Sequence, residues 1–263
     1  MTTFRFALAV LVPLALAGPA GAAQCGNDAS GFEAWKAQFK QEAVAAGLSP
    51  RTVSLLDGVK YDAGVIKLDR TQRAQFAKQG VSGGRVSQGR KRMKQYAGLL
   101  SQIERRYGVP GPVLVAIWGL ETDYGAVRGK KQAIRSLATL AYDCRRSAFF
   151  TRELLAALTI VQRGKLSPNQ MVGGWAGEIG QTQFLASKYL QYGVDGSGDG
   201  RADVVGNPAD VLASTANYLR AHGWRPGAGW EPGEPNFAVI ATWNKSNVYQ
   251  KTIARFATML AEG

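Results

Sequence analysis

The sequence contains little histidine, and this shortage excludes several kinds of chemistry. His222 is the only histidine among 263 residues. A zinc site with two histidine ligands is therefore impossible, and Ser-His-Asp or Cys-His catalysis would have to use His222. That residue ends a helix-like stretch, YLRAHGW, where a histidine commonly interacts with free helix carbonyls. The sequence therefore points away from imidazole chemistry.

Cysteine is nearly as rare. Cys25 and Cys144 are the only two cysteines in the chain. In an oxidising compartment they most simply form one disulfide, which would tie the N-terminal region to the middle of the chain. Two unpaired thiols are the alternative.

Long hydrophobic runs are also scarce, and the one at the N-terminus predicts a signal peptide. Arg5 precedes an apolar core over residues 6–17, and small residues follow at 20–22. This pattern predicts a cleaved signal peptide over residues 1–23 and a periplasmic or secreted protein. A membrane anchor is an alternative, but the core is short for a span, so we expect no stable membrane insertion. Lipid attachment at Cys25 is another, although the residue before it fits such a site poorly.

Acidic residues are outnumbered. The chain has 32 Lys and Arg against 19 Asp and Glu, and loss of Arg5 with the signal peptide leaves 31 basic residues. Such a surface favours a polyanionic partner. For a secreted protein we expect bacterial cell wall, whose peptides carry carboxylates, and no nucleic acid. A solvated basic surface would explain the charge equally well.

Strand patterns are scarce too, so we expect a mainly α fold. Helical periodicity runs from Arg85 to Tyr107 and recurs in most of the later segments. The region from Tyr61 to Gly84 is polar and has no clear pattern. We expect a small N-terminal helical lobe over residues 24–108 and a catalytic lobe over residues 109–263.

One carboxylate ends the most apolar helix-like segment, IWGLETDYG. Residues 113–120 are almost wholly hydrophobic and Glu121 follows them. A carboxyl beside apolar walls resists ionisation, so it can hold a proton near neutral pH and donate it to a leaving oxygen. A structural acid that caps the next turn or pairs with Arg128 is the alternative.

Two further motifs carry polar groups. The stretch GWAGEIGQTQF, residues 174–184, surrounds Gln181 and Gln183 with glycines, which suits close approach to sugar hydroxyls and acetamides, or a tight structural turn. The stretch VDGSGDGRAD, residues 194–203, matches most of a calcium-binding loop. A metal-free turn is the alternative there. The predicted calcium ligands are Asp195, Ser197, Asp199, Asp203 and a non-standard closing residue, Asp210.

Four motifs together resemble the MltB-type lytic murein transglycosylases. They are AIWGLETDYG, SLATLAYD, GWAGEIGQTQFLASKYLQYGVDGSGDG and ANYLRAHGW, and the similarity runs from about residue 85 to residue 261. The resemblance implies a lysozyme-like catalytic lobe with an additional N-terminal helical lobe. It also implies cleavage of the β-1,4 bond between N-acetylmuramic acid and N-acetylglucosamine, with attack by the muramyl O6 to leave a 1,6-anhydro end. Partners would be glycan strands and proteins of the cell-wall machinery.

The resemblance also implies roles for individual residues. Glu121 matches the single catalytic acid/base, and the substrate cleft would include Glu178, Gln181, Gln183, Phe184, Tyr218, Trp243, Asn244 and Tyr249. The chain departs from the family at Trp243, which replaces a tyrosine, at Gly174, which replaces a serine, and at Glu178, which replaces a small residue. One residue is inserted before Asp210. No cofactor is required for the chemistry, and Ca²⁺ would be structural.

Two other functions are compatible with the sequence. A hydrolytic muramidase would use water and a second acid such as Asp123 or Glu178. A non-catalytic wall-binding module would bind sacculi without releasing fragments. A nucleic-acid binder rests on charge alone and conflicts with the signal peptide.

Overall fold

A computed structural model describes residues 23–71 and 81–263. The predicted signal peptide therefore lies outside the described residues, apart from Ala23. The described chain forms α1 (Phe32–Ala45), α2 (Pro50–Val53), α3 (Ala63–Thr71), α4 (Gly83–Gln95), α5 (Ala97–Tyr107), α6 (Gly111–Thr122), α7 (Ala133–Tyr142), α8 (Ser147–Gln162), α9 (Ala186–Tyr192), α10 (Pro208–Ala221), α11 (Phe237–Trp243) and α12 (Asn247–Ala261). A two-stranded antiparallel sheet pairs β1 (Lys131–Gln132) with β2 (Val172–Gly173).

Helix α6 is the centre of the fold. Val113, Val115, Ala116 and Ile117 are fully buried, so the helix is enclosed on every side rather than on one stripe. Helices α4, α5, α10 and α12 pack around it. The apolar composition of α6 therefore reflects its central position, and the residue at its C-terminal end lies where the chain leaves the core.

One helix prediction was wrong in detail. The continuous helix predicted from Arg85 to Tyr107 is two helices, α4 and α5, because Tyr96 adopts φ −110° and ψ 21° and ends the first. Helix α3 occupies part of the region that showed no pattern, and its polar exposed face hides the periodicity there. The later segments with helical periodicity form helices as predicted.

The predicted disulfide is confirmed. Cys25 and Cys144 are bonded across 119 residues of sequence, with their Cα atoms 5.0 Å apart. Beside the bridge, Gly26 N donates to Tyr142 O and Cys144 N donates to Gly26 O. The N-terminal end of the described chain is thus fixed against the end of α7.

The division into two lobes at residue 108 stays a prediction. Helices α4 and α5, on the N-terminal side of that boundary, contact α6, α10 and α12 on the other side. No helix among the described residues is both long and apolar enough to cross a membrane.

Candidate active site

Glu121 lies in the last turn of α6 and reaches the surface only in part. Trp243 Nε1 donates to its Oε1 at 2.9 Å, and the Tyr249 hydroxyl also hydrogen-bonds to the carboxyl. The pKa of Glu121 is raised to about 7, chiefly because the carboxyl is buried. The two hydrogen bonds act in the opposite direction, and the charge of Glu178 contributes a smaller increase to the same value. A carboxyl with this pKa exists in both protonation states near neutral pH, as an acid/base requires.

The backbone turns sharply after Glu121. Asp123 and Tyr124 both adopt left-handed conformations, with φ of 53° and 60°. The Tyr124 hydroxyl donates to Arg85 O at 2.7 Å, and its ring packs on α6. Arg128, the alternative partner for Glu121, donates instead to Val205 O. Strained backbone of this kind is common at functional sites, where the surrounding structure holds it in place.

The segment 174–184 forms the opposite side of the site. Glu178 Oε2 accepts from Ala176 N at 3.0 Å. Gln183 has a left-handed backbone, with φ 53°, and its Nε2 donates to Gly180 O at 2.8 Å. Its Oε1 faces the space above Gly174, which a Cβ there would occupy. Glu178 and Gln183 thus converge above the same glycine.

Aromatic side chains form a wall next to Glu121. The centroid of the Trp243 ring lies 5.3 Å from that of Phe184 and 5.0 Å from that of Tyr218, and both contacts are edge to face. Tyr218 also stacks on His222 at 3.9 Å, and its hydroxyl donates to Thr242 O. His222 ends α10 with Nδ1 2.7 Å from Tyr218 O, as its position in the sequence suggested.

Two of the predicted cleft residues have partners within the protein. Gln181 is buried, accepts from Trp118 Nε1 at 2.9 Å and donates from Nε2 to Val205 O, so its amide is directed into the core instead of the cleft. Asn244 Oδ1 accepts from Ser246 N at the start of α12. Asn244 keeps partial exposure beside Trp243, whereas Gln181 is not brought to the site.

The connection between α6 and the segment 174–184 was not predicted from the sequence. Gln181 joins the two through Trp118, and the Thr122 hydroxyl donates to Gln181 O. The one available signal was Trp118 itself, because a buried indole N–H usually requires an acceptor. These bonds fix the end of α6, and therefore Glu121, against that segment.

Three of the predicted calcium ligands lie together. Oxygen atoms of Asp195, Asp199 and Asp210 are within 4.8 Å of one another. Asp203 is not in this group, because its Oδ1 accepts from Val205 N and Gly206 N. The Ser197 hydroxyl donates to Asp195 Oδ1. Asp210 is buried and accepts from three backbone N–H groups, so it also stabilises the loop directly.

Solved structures from Pseudomonas aeruginosa and Escherichia coli share this fold. SltB3 from Pseudomonas aeruginosa, in complex with NAG-NAM-pentapeptide, has a TM-score of 0.82 and 34% identity, covering 88% of this chain and 80% of that chain. The Escherichia coli lytic transglycosylase SLT35, in complex with bulgecin A, has a TM-score of 0.78 and 26% identity, covering 91% of this chain and 96% of that chain. These similarities confirm the mainly α, lysozyme-like fold.

Comparisons with known protein sequences point to the same group of proteins as the solved structures. Membrane-bound lytic murein transglycosylase B of Escherichia coli (strain K12) is 39% identical over 150 residues, which is 54% of this chain and 41% of that protein. This chain thus spans about two fifths of that relative's length. The model of the transglycosylase SLT domain family matches residues 31–233, most of the sequence. The chain therefore belongs to the transglycosylase SLT family.

Proposed function

We propose that the protein is a peptidoglycan lytic transglycosylase in which Glu121 is the single acid/base. The observation that carries this proposal is the carboxyl of Glu121, enclosed at the end of α6 and able to hold a proton near neutral pH. The substrate is the β-1,4 bond between N-acetylmuramic acid and N-acetylglucosamine. Relatives named as murein transglycosylases, and the binding of NAG-NAM-pentapeptide and NAG-anhNAM-pentapeptide by SltB3, support the same substrate class.

In the first step, protonated Glu121 donates its proton to the glycosidic oxygen. The bond from this oxygen to the muramyl C1 breaks, and positive charge develops on the sugar ring. The N-acetyl oxygen of the same sugar can stabilise that charge from within the substrate, as in other substrate-assisted glycosidases. Trp243 Nε1 and the Tyr249 hydroxyl hydrogen-bond to the carboxyl and orient it, and they stabilise the carboxylate that results.

In the second step, the Glu121 carboxylate accepts the proton of the muramyl O6 hydroxyl while O6 attacks C1. The C1–O6 bond closes the 1,6-anhydro ring, and Glu121 returns to its protonated form. No water enters the product, and no second enzyme carboxylate is needed. The same group serves as acid and then as base, which a pKa of about 7 allows.

The aromatic wall and the polar groups beside it would hold the sugar rings. Trp243 is partly exposed and offers its ring next to Glu121, whereas Phe184 is buried and packs edge to face against Trp243. Gln183 and Asn244 offer amides to sugar hydroxyls and acetamides. Tyr218 supports Trp243 from behind through its edge-to-face contact.

A structural calcium ion fits the acidic loop. Asp195, Asp199 and Asp210 supply carboxylate oxygens, which are the ligands that Ca²⁺ prefers. The Escherichia coli SLT35 has been solved in complex with calcium. Bound there, the ion would stabilise the loop before α10 and take no part in bond cleavage.

The proposed location is the periplasm or the exterior. The N-terminal pattern predicts a signal peptide, the Cys25–Cys144 bridge suits an oxidising compartment, and murein lies outside the cytoplasm. Glycan strands are the expected partner, together with proteins of the wall machinery.

Mass spectrometry of fragments released from purified sacculi tests the proposal. We expect 1,6-anhydro ends from the wild-type protein and a loss of at least ~1,000-fold in release by Glu121→Gln, since both proton transfers use this carboxyl. Asp123→Asn, two residues along the chain, is the matched control and should remain active. Products heavier by one water would instead identify a hydrolytic muramidase, whose second acid would be a residue such as Asp123 or Glu178. Sacculus binding without release would identify a non-catalytic module.

A further inference from the structure

A basic groove lies between α4 and α12, and none of the residues that line it belongs to the proposed substrate cleft. Its volume is about 460 Å³. Val86 and Met259 form an apolar floor, and Arg90, Lys91 and Lys94 form an exposed cationic rim. We call this feature the α4–α12 groove. It combines positive charge with a small apolar surface.

The three cations of the rim are neighbours on one face of α4. Arg90 and Lys94 are four positions apart, and Lys91 and Lys94 are three apart. Like charges at these spacings destabilise a helix, and α4 contains no acidic residue to offset them. The helix dipole favours Lys94, which lies in the last turn, but its effect is confined to that turn. The cluster as a whole therefore has no stabilising role within the helix.

The rim has little counter-charge. Lys91 and Lys94 make no hydrogen bond or ion pair with the residues that the structure describes. Arg90 donates to Met259 O at 3.1 Å and lies beside Gly263. Glu262 is an exposed acid at this end of α12, and the cations outnumber it. Such a surface favours an anionic ligand.

Helix α12 extends the positive surface towards the candidate active site. Lys251 and Arg255 are exposed and precede Met259 at intervals of four residues, so the three side chains lie on one face of the helix. Tyr249, whose hydroxyl bonds to the carboxyl of Glu121, is on the same helix. Ten positions separate it from Met259, which corresponds to about 15 Å along the axis.

A peptidoglycan strand carries anionic groups that match this distance. Each muramic acid bears a stem peptide with free carboxylates, and an extended peptide of about five residues spans at most about 17 Å. A strand bound at Glu121 can therefore place peptide carboxylates over the α4–α12 groove. The apolar floor suits the small methyl groups of alanine residues in such peptides.

We propose, building on the function proposed above, that the α4–α12 groove is a second peptidoglycan-binding site that holds carboxylates of the stem peptides. The ammonium groups of Lys91 and Lys94 attract the carboxylates, and the exposed Ser87 hydroxyl can donate a hydrogen bond to them. The groove does not contact the bond that is cleaved. It keeps the glycan near Glu121 by raising its effective concentration there.

The first test measures binding to purified sacculi with every protein carrying Glu121→Gln, so that no strand is cut. Lys91→Gln with Lys94→Gln should weaken binding at least about fivefold at ~0.1 M salt, and the difference should shrink at ~1 M salt. Lys60→Gln with Lys67→Gln is the matched control, because it removes the same charge from exposed lysines outside the groove. No loss in the groove pair, or equal losses in both pairs, would overturn the proposal.

The second test identifies the ligand. Sacculi whose carboxylates have been converted to amides with a carbodiimide and ammonia should bind the wild-type groove and the groove pair equally well. A difference that persists on amidated sacculi would overturn the proposal. Vesicles of phosphatidylglycerol and phosphatidylcholine test a membrane instead. Vesicle binding that requires both lysines, with sacculus binding unchanged by their loss, would assign the groove to anionic lipid and would also overturn the proposal.

Two controls separate loss of charge from loss of structure. Tm of the Lys91→Gln, Lys94→Gln protein should equal or exceed that of its parent, since like charges are removed from one helix face. Lys91→Arg with Lys94→Arg keeps the charge and should retain binding. Loss of binding in the arginine pair would show that charge is not the determinant, which contradicts the proposal.

The outcomes also separate this inference from the proposed function. Hydrated instead of anhydro products from the wild-type protein would refute the proposed function, whereas the binding comparison needs no turnover and would still test the groove. Anhydro products together with undiminished sacculus binding by the groove pair would refute only the inference.

Discussion

At the scale of one residue, the environment of Glu121 decides what the site can do. Burial favours the neutral carboxyl, whereas Trp243 and Tyr249 favour the carboxylate. The balance leaves a pKa of about 7, compared with an ordinary value of 4.5. An acid with the ordinary value would be almost fully ionised at neutral pH and would have no proton to donate.

The same environment should cost stability, and Glu121→Gln should recover it. Between pH 4.5 and about 7 the folded protein retains a proton that the unfolded chain has lost, so stability falls as pH rises through this window. The full effect above the window corresponds to about 3 kcal/mol. Urea unfolding should therefore show Glu121→Gln to be more stable than wild type near pH 8 and nearly equal to it near pH 4. An equal gain at both pH values would contradict this explanation.

Residue types near the site were partly predictable from the sequence. Glu121 stood out because a carboxylate follows an apolar run, and the two amides because glycines surround them. The inward direction of Gln181 was not predictable, since it depends on Trp118, which is 63 positions away. The bond from Trp243 to Glu121 spans 122 positions and could be known only from the fold.

At the scale of an element, α6 and the turn that follows it act as one unit. Gly119 lies in the helix interior, where alanine would normally be preferred. A Cβ there would come within 2.8 Å of the Tyr124 ring. The glycine therefore lets Tyr124 pack on the helix, and this packing holds the left-handed turn after Glu121.

Gly119→Ala should destabilise the protein by about 1–3 kcal/mol, as overpacking of a buried contact does. Gly98→Ala is the matched control, because Gly98 lies in α5 with no atom within 4 Å of its added Cβ. That change should be neutral or slightly stabilising. Thermal unfolding of both variants measures the difference, and a stabilising Gly119→Ala would show that Tyr124 does not need the space.

Element boundaries were less predictable than element type. The periodicity from Arg85 to Tyr107 continues across Tyr96, so the break between α4 and α5 leaves no mark on the sequence pattern. Helix α11 is seven residues long and has too few turns to show a period. In both cases packing by distant segments decides where the backbone changes direction.

At the scale of the whole molecule, one covalent bridge and one central helix organise the chain. The Cys25–Cys144 disulfide closes a loop across 119 residues, which includes α6 and the carboxyl of Glu121. The bridge could be predicted from the cysteine count and the signal peptide together. The enclosure of α6 by helices from both halves of the chain could not, because it depends on long-range packing.

Replacement of both cysteines, Cys25→Ser with Cys144→Ser, should lower the free energy of unfolding by about 2–5 kcal/mol, because the open loop gains entropy when the chain unfolds. Urea denaturation measures the loss. A reductant should destabilise the wild-type protein by a similar amount and leave the double variant unchanged. A loss below about 1 kcal/mol would mean that the bridge contributes little to the fold.

An NMR titration of the Glu121 side chain tests its role as acid/base most directly. Protein labelled with ¹³C at the glutamate side-chain carboxyl, with Glu121→Gln to assign the resonance, would be followed from about pH 4 to about pH 9. We expect Glu121 to titrate with a midpoint of about 7, because its carboxyl is buried. A midpoint near the ordinary 4.5 would leave the residue without a proton to donate at neutral pH, and would contradict its role as the acid/base.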